Sequence, residues 1–331
     1  MLPRVLITAV TPPDHLAPLE GLAEIVMGPS DGSLVPRSTI LQRASEWVGI
    51  INHGDVIVDE ALLAAAPRLK IVANMAAGFN NLHLEAMARH GVWATNAPDP
   101  FVETTADTTI GLLLAVARRI CEGHQYVQSG QWAKDGFNPV RWDGLRLHSS
   151  VLGIIGYGRI GRAVARRAEA FGMKILMHAP RRRGEPNFCE LDELLARAEV
   201  VSLHVPLTEQ TRHLLNADNL PRMKPGAILL NVSRGPVIEE AALCRAVASG
   251  LLGGAGLDVM EFEPKAPAEL LGRSNVVLTP HLGGSSVEGR REARLLCARD
   301  VALVLSGQEP ERALNRPDSH IARKRVEPRD S

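Results

Sequence analysis

The chain has 331 residues, 45% of them apolar, and 37 Lys plus Arg against 37 Asp plus Glu. This length exceeds one ordinary core and predicts two domains, and the charge balance argues against a nucleic-acid partner, which would call for a basic excess. Cys121, Cys189, Cys244 and Cys297 lie far apart with no CxxC, so they read as reduced thiols of a cytoplasmic protein rather than a disulfide frame or zinc site.

Short β-branched runs alternate with amphipathic stretches from the start. The opening MLPRVLITAV is broken too soon for a signal peptide. Candidate strands are RVLITAV (4–10), AEIVMG (23–28), VGIINHG (48–54), KIVANMA (70–76) and VWATNA (92–97). LHLEAMARHG between the last two reads as a helix. PDP at 98–100 closes this group and marks a boundary. ETTADTTIGLLLAVARRI (103–120) then reads as a long helix, apolar enough to be buried between domains or subunits. No apolar run reaches the ~18 residues that would span a bilayer, so no membrane partner is expected.

A second group follows: VLGIIG (151–156), KILMHA (174–179), VVSLHVP (200–206), AILLNV (227–232), AGLDV (255–259) and NVVLTPH (275–281). The alternation predicts an α/β protein with two doubly wound, Rossmann-like parallel sheets. SVEGRREARLLCARDVALVLSG (286–307) is a further helix with no strand after it, suited to carry the chain back to the first unit. The polar end from Arg316, with Pro317 and Pro328, is expected to be loosely ordered.

GYGRIG (156–161) matches GxGxxG between a buried strand and a helix. Gly156 permits the tight turn, Gly158 lets the backbone approach a pyrophosphate, and Gly161 lets helix and strand pack closely. Tyr157, Arg159 and Ile160 complete this loop. The next strand ends at Ala179, where an acid would bind the adenosine ribose of NAD(H); here Pro180, Arg181, Arg182 and Arg183 follow. A missing acid and three guanidinium groups point to a 2′-phosphate, hence to NADP(H) in preference to NAD(H), with Arg181 or Arg182 making the contact.

Three later segments hold candidate chemistry. NVSRG brings Arg234 just past a predicted strand, GLDVMEFEP brings Asp258 at a strand end and Glu263 five residues later, and LTPHLGG brings His281 at the end of the last strand, all on the rim where open parallel sheets bind ligands. An arginine can grip a carboxylate and polarise a carbonyl. A histidine can deliver a proton, and a carboxylate beside it favours its charged form and fixes its orientation. Each residue also has a plain structural reading; their joint placement beside a dinucleotide loop favours catalysis.

These residues sit in longer ordered motifs: AAGFNNLHLEAMARHGV, TNAPD, ETTADTTIGLLLAVAR, SGQW, GIIGYGRIG, PLTEQTRHLLN, MKPGAILLNVSRGPVIEEAAL, GAGLDVMEFEP and NVVLTPHLGG. In them the chain resembles the D-isomer-specific 2-hydroxyacid dehydrogenases, and among these the glyoxylate/hydroxypyruvate reductases. The resemblance implies a substrate domain made of 1–99 plus 286–317, an NAD(P)-binding Rossmann domain over 100–285, a tail over 318–331, and a homodimer. It implies Arg234, Glu263 and His281 as the catalytic set, with the substrate carboxylate on backbone N–H groups of Ala77 and Gly78. It places Thr104, Val232, Ser233, Asp258 and Gly283 near the nicotinamide half, and Pro206 and Thr211 near the adenosine half. The loop MAAGF has small uncharged side chains, which suit glyoxylate or hydroxypyruvate better than a dicarboxylate. His83 stands where the family often has aspartate and reads as a helix cap. The lysine of the similar phosphite dehydrogenase is replaced by Ala77, which argues against an inorganic anion as substrate. Two other readings compete: an NAD-dependent D-2-hydroxyacid dehydrogenase for a larger substrate, and a non-catalytic dinucleotide-sensing corepressor.

Overall fold

All eleven β-branched runs form strands, because each is short, apolar and bounded by turn residues. The computed structural model describes residues 1–179 and 184–318. It divides into two units, Met1–Phe101 with the chain from Gly284 onward, and Val102–Gly283.

In the first unit, β1 (Arg4–Ile7), β2 (Glu24–Met27), β3 (Trp47–Asn52), β4 (Ile71–Asn74) and β5 (Trp93–Asn96) form one sheet in the order β2-β1-β3-β4-β5. Every pair is parallel. α1 (Arg37–Gln42), α2 (Glu60–Ala65) and α3 (Leu84–Arg89) pack Ile40, Leu62, Leu63 and Met87 on one face of the sheet. Asp59 caps α2 through its carboxylate, which accepts from the Leu62 N–H. His83 stands at the start of α3 but makes no side-chain cap, so the capping role expected for it is not observed.

In the second unit, α4 (Phe101–Ala117), α5 (Ile120–Gln128) and α6 (Gln131–Asp135) precede the sheet. The sheet holds β6 (Val151–Ile155), β7 (Lys174–His178), β8 (Val200–Leu203), β9 (Ala227–Asn231), β10 (Leu252–Leu257) and β11 (Val276–Leu278), ordered β11-β10-β9-β8-β6-β7. All its pairs are parallel too. α7 (Arg159–Ala170), α8 (Leu191–Arg197) and α9 (Glu240–Ala248) cross between strands. α4 differs from expectation. Its apolar face (Ala106, Ile110, Leu113, Val116, Ala117) is buried within this unit's own core, where Gly254 and Gly256 of β10 leave room for Val116. Arg119, in the left-handed region at φ 54°, ends it.

The closing helix α10 (Val287–Leu305) returns to the first unit and lays Ala293, Cys297, Ala298, Val301 and Val304 over β1, β3 and β4. Gly49 of β3 admits Val301, whose Cγ1 would stand 3.2 Å from a Cβ there. Beyond α10 the chain keeps contact with the first unit. Asn315 bonds the backbone of Ala94 and Val92, and the Asp318 N–H donates to the Ala88 carbonyl. The rest of the expected tail, 319–331, lies outside the described residues. Among the described residues no helix is long and apolar enough to cross a membrane.

Candidate active site

The glycine loop joins β6 to α7. Gly156 has φ 95°, and a Cβ there would lie 2.5 Å from the His204 carbonyl oxygen. A Cβ on Gly161 would lie 2.3 Å from the Gly156 oxygen. Both positions therefore demand glycine for the turn and for helix–strand contact. Gly158 is different: nothing stands within 4 Å of its would-be Cβ. It precedes α7, whose first N–H groups receive no side-chain cap. An open glycine at an uncapped, twelve-residue helix start fits a pyrophosphate, which would meet the positive end of the helix dipole. Tyr157 and Ile160 pack partly buried on the core beneath, and Arg159 begins the helix. Pro180, Arg181, Arg182 and Arg183 lie outside the described residues.

The other cofactor candidates of this unit fall on the same sheet or its helices. Thr104 is on α4. Pro206 and Thr211 form one turn after β8, in which the Thr211 hydroxyl donates to the Pro206 carbonyl at 2.6 Å. Val232 and Ser233 follow β9, Val232 being buried.

Arg234, Glu263 and His281 come together at the carboxyl ends of β9, β10 and β11. His281 Nδ1 lies 2.9 Å from Glu263 Oε2. An ionised carboxylate only accepts, so Nδ1 carries the proton and Nε2 is the ring atom presented outward. Burial pushes the Glu263 pKa up, but the bond and charge of His281, the Met260 N–H and the Arg234 charge outweigh it and hold the carboxyl below its ordinary range. Burial lowers the Arg234 pKa, opposed by the Glu263 charge. The guanidinium Nη1 donates to the Ser233 carbonyl at 2.6 Å. The His281 side chain stays about half exposed, at 48%, so its outer nitrogen is accessible.

Three supports hold this cluster: two that were not read from the sequence, and Asp258, which was named there only for the nicotinamide half. Asn231, fully buried, accepts from the Ser233 N–H and hydroxyl and donates to the Arg234 carbonyl, which shapes the turn bearing the arginine. An Asn at a strand end before Ser-Arg-Gly is a signal for such a turn. Glu261 accepts from the Glu240 N–H while Glu240 accepts from the Glu261 N–H, and His213 Nε2 stands 2.6 Å from Glu261. This brace fixes the segment carrying Glu263. Asp258, 1% exposed, accepts from the Thr279 hydroxyl at 2.6 Å, the Leu282 N–H at 2.8 Å and the Gly283 N–H at 2.7 Å. Its carboxylate is thus engaged in holding the turn where His281 takes φ 52°. Gly283 lies against it, since a Cβ there would come 2.9 Å from Asp258 Oδ2.

Ala77 and Gly78 belong to the first unit, in the loop after β4. Their carbonyls are held by Asn96 and Asn74 side chains at 2.7 and 3.1 Å. The N–H groups of both have no acceptor among the described residues.

A doubly wound sheet with an open glycine at a helix start and a histidine–carboxylate pair on its rim defines a nicotinamide-dinucleotide-dependent oxidoreductase. Comparison with known proteins narrows this class. The model for the D-isomer specific 2-hydroxyacid dehydrogenase NAD-binding domain matches residues 110–283, and the chain belongs to that family, acting on CH–OH donors with NAD(P). It is 39% identical to the glyoxylate reductase of Thermococcus litoralis over 96% of this chain and 98% of that protein. A protein from Thermus thermophilus superposes with a TM-score of 0.89 at 40% identity, over 94% of this chain and 99% of that one. The NADPH-dependent glyoxylate/hydroxypyruvate reductase of Sinorhizobium meliloti, solved with NADP and malonate, gives 0.84 at 33% identity, over 95% and 97%.

Proposed function

We propose that this chain reduces small 2-oxo acids of the glyoxylate and hydroxypyruvate type to D-2-hydroxy acids, using NADP(H) in preference to NAD(H). Arg234 grips the substrate carboxylate and polarises its carbonyl. His281 donates a proton from Nε2 to the carbonyl oxygen, and Glu263 orients the ring by accepting from Nδ1. Ala77 and Gly78 offer their N–H groups to the carboxylate. The dinucleotide supplies the hydride when bound. Gly156 through Gly161 take its pyrophosphate, with Arg181 or Arg182 on a 2′-phosphate. Thr104, Val232, Ser233 and Gly283 line its nicotinamide side, and Pro206 and Thr211 its adenosine side. Asp258 acts by holding the His281 turn.

The observation that supports this reading most strongly is the 2.9 Å bond between His281 and Glu263, with the Arg234 charge acting on the same carboxylate. A homodimer is the assembly we read, in keeping with the exposed apolar side chains of Ile120, Val127, Trp132, Phe137 and Val140. The test is steady-state oxidation of NADPH and NADH with a panel of 2-oxo acids. Turnover of glyoxylate with a higher kcat/KM for NADPH supports the assignment. Higher efficiency with NADH favours a catabolic dehydrogenase, and no turnover across the panel favours a dinucleotide sensor.

A further inference from the structure

At the carboxyl rim of the first unit's sheet, Thr8 and His53 come together with two cations of the last helix, Arg290 and Arg294. Thr8 follows β1 and His53 follows β3. The Thr8 hydroxyl accepts from the His53 backbone N–H at 3.0 Å and donates to Asp55 Oδ1 at 3.2 Å. Its single hydrogen is thereby used, so it accepts from His53 Nδ1, also 3.0 Å away. The opposite ring atom, Nε2, is left buried with no partner.

Arg290 and Arg294 stand one turn apart on α10 and so share a face. The Arg294 Nε is buried without a partner, while its Nη1 lies 3.4 Å from His15 Nδ1. Arg290 donates to the Ser285 hydroxyl at 2.6 Å. Neither guanidinium meets a carboxylate among the described residues. The acids nearby are engaged elsewhere: Asp55 takes the Thr8 hydroxyl, and Asp14 lies 3.6 Å from His15 Nε2. Burial, then Arg294 and Arg290, lowers the His53 pKa to about 4, and burial followed by Arg290 lowers that of Arg294. Two adjacent cations and two orphaned buried nitrogens are costly as they stand. An oxyanion accepts from both guanidinium groups, and its charge favours return of the proton that burial and the arginines take from His53, so that Nε2 donates to it as well and the cost is removed.

The place of this cluster says what the anion belongs to. β3 and β4 are neighbours, and a Cβ on Gly54 would lie 3.5 Å from the Ala76 Cβ. The loop after β3 that carries His53 therefore runs beside the loop after β4 that carries Ala77 and Gly78. We propose that His53, Arg290 and Arg294 form a second oxyanion subsite, which takes the distal carboxylate or phosphate of a 2-oxo acid whose first carboxylate lies on Ala77 and Gly78. This rests on the reductase reading above and departs from it in substrate preference: glyoxylate is turned over, but 2-oxo acids with an anionic group at each end are preferred. The loop MAAGF alone suggests otherwise, because the charge comes from a helix more than two hundred residues further along.

The test uses the full chain with its reduced cofactor. kcat/KM is measured for glyoxylate and hydroxypyruvate, and for oxaloacetate, 2-oxoglutarate and 3-phosphohydroxypyruvate. At least one dianionic acid is expected to exceed glyoxylate by about tenfold or more, and the carboxylate and phosphate arms show which group the subsite takes. In Arg290→Gln and Arg294→Met, the ratio of dianionic to glyoxylate kcat/KM should fall about 10- to 100-fold. Melting curves check folding; Arg290 is exposed, so its variant decides the matter if the Arg294 variant does not fold. Glyoxylate turnover with no advantage for any dianionic acid, or an unchanged ratio in Arg290→Gln, overturns the subsite and leaves the reductase standing. No turnover of any acid overturns the reductase reading and the subsite with it.

Discussion

Replacing Asp258 by alanine removes the acceptor of three hydrogen bonds at once, from Thr279, Leu282 and Gly283. Bonds to a charged group contribute about 1.5–3 kcal/mol each, so three independent ones would total roughly 4.5–9 kcal/mol. They share one carboxylate, and water entering the vacated space will satisfy part of the loss, so we expect Asp258→Ala to destabilise the second unit by about 3–5 kcal/mol. For a unit of this size that lowers Tm by about 6–20 °C. Asp258→Asn keeps one oxygen for Thr279 and Leu282 but turns an amide NH2 toward the Gly283 N–H, so its loss should be about a third as large. Because the His281 N–H also bonds the Asp258 carbonyl and its turn hangs on the carboxylate, kcat should fall in both variants in the same order. Calorimetry and steady-state kinetics with glyoxylate measure the two effects. If Asp258→Ala melts within about 2 °C of the parent and keeps its kcat, Asp258 does not hold this turn.

His281→Ala should lower kcat by about 10²–10⁴-fold while cofactor affinity, measured by fluorescence titration, stays close to the parent's; retained turnover would remove the histidine as proton donor. The double variant Arg181→Ala with Arg182→Ala should weaken NADPH use by ~1–3 kcal/mol and spare NADH, and equal losses with both cofactors would refute a 2′-phosphate contact. His204, whose Nδ1 is buried without a partner and whose Nε2 meets Ser202 at 2.9 Å, has its pKa lowered by burial from 6.5 to about 3. Between those values the unfolded chain binds a proton that the folded chain refuses, so stability falls as pH drops below 6.5. The slope is about 1.4 kcal/mol per pH unit, which gives a loss of roughly 2 kcal/mol by pH 5. Denaturant unfolding at the two pH values should show a smaller loss in His204→Asn, and an identical slope would show that this histidine is not the source.

The strands and the glycine turn were legible because their causes are local. β-branched runs such as VLGII and AILLN need only their own residues and nearby turns to be recognised, and the demand for glycine at Gly156 and Gly161 follows from one turn. Arg234, Glu263 and His281 could be named as candidates because each lies at or within a few residues of the end of a strand run. What remained hidden depends on partners distant in the chain. Nothing near Asp258 announces that its bonds come from residues 21 to 25 positions later. Nothing around His53 announces Thr8, 45 positions earlier, or arginines from the last helix. α4 was misplaced for a related reason: its apolar length signals burial, but only the glycines of β10 reveal against what.

The route of the chain also has a bearing on synthesis. The second unit is continuous from Val102 to Gly283 and can close as soon as it clears the ribosome. The five strands translated before it cannot, because their cover, Ala293 through Val304, is among the last segments to be made. The amino-terminal segment therefore waits with β1, β3 and β4 only partly covered, by Leu16 and Leu19, while its younger neighbour matures, which reverses the usual vectorial order and makes this interval the one in which a holding chaperone has most to protect.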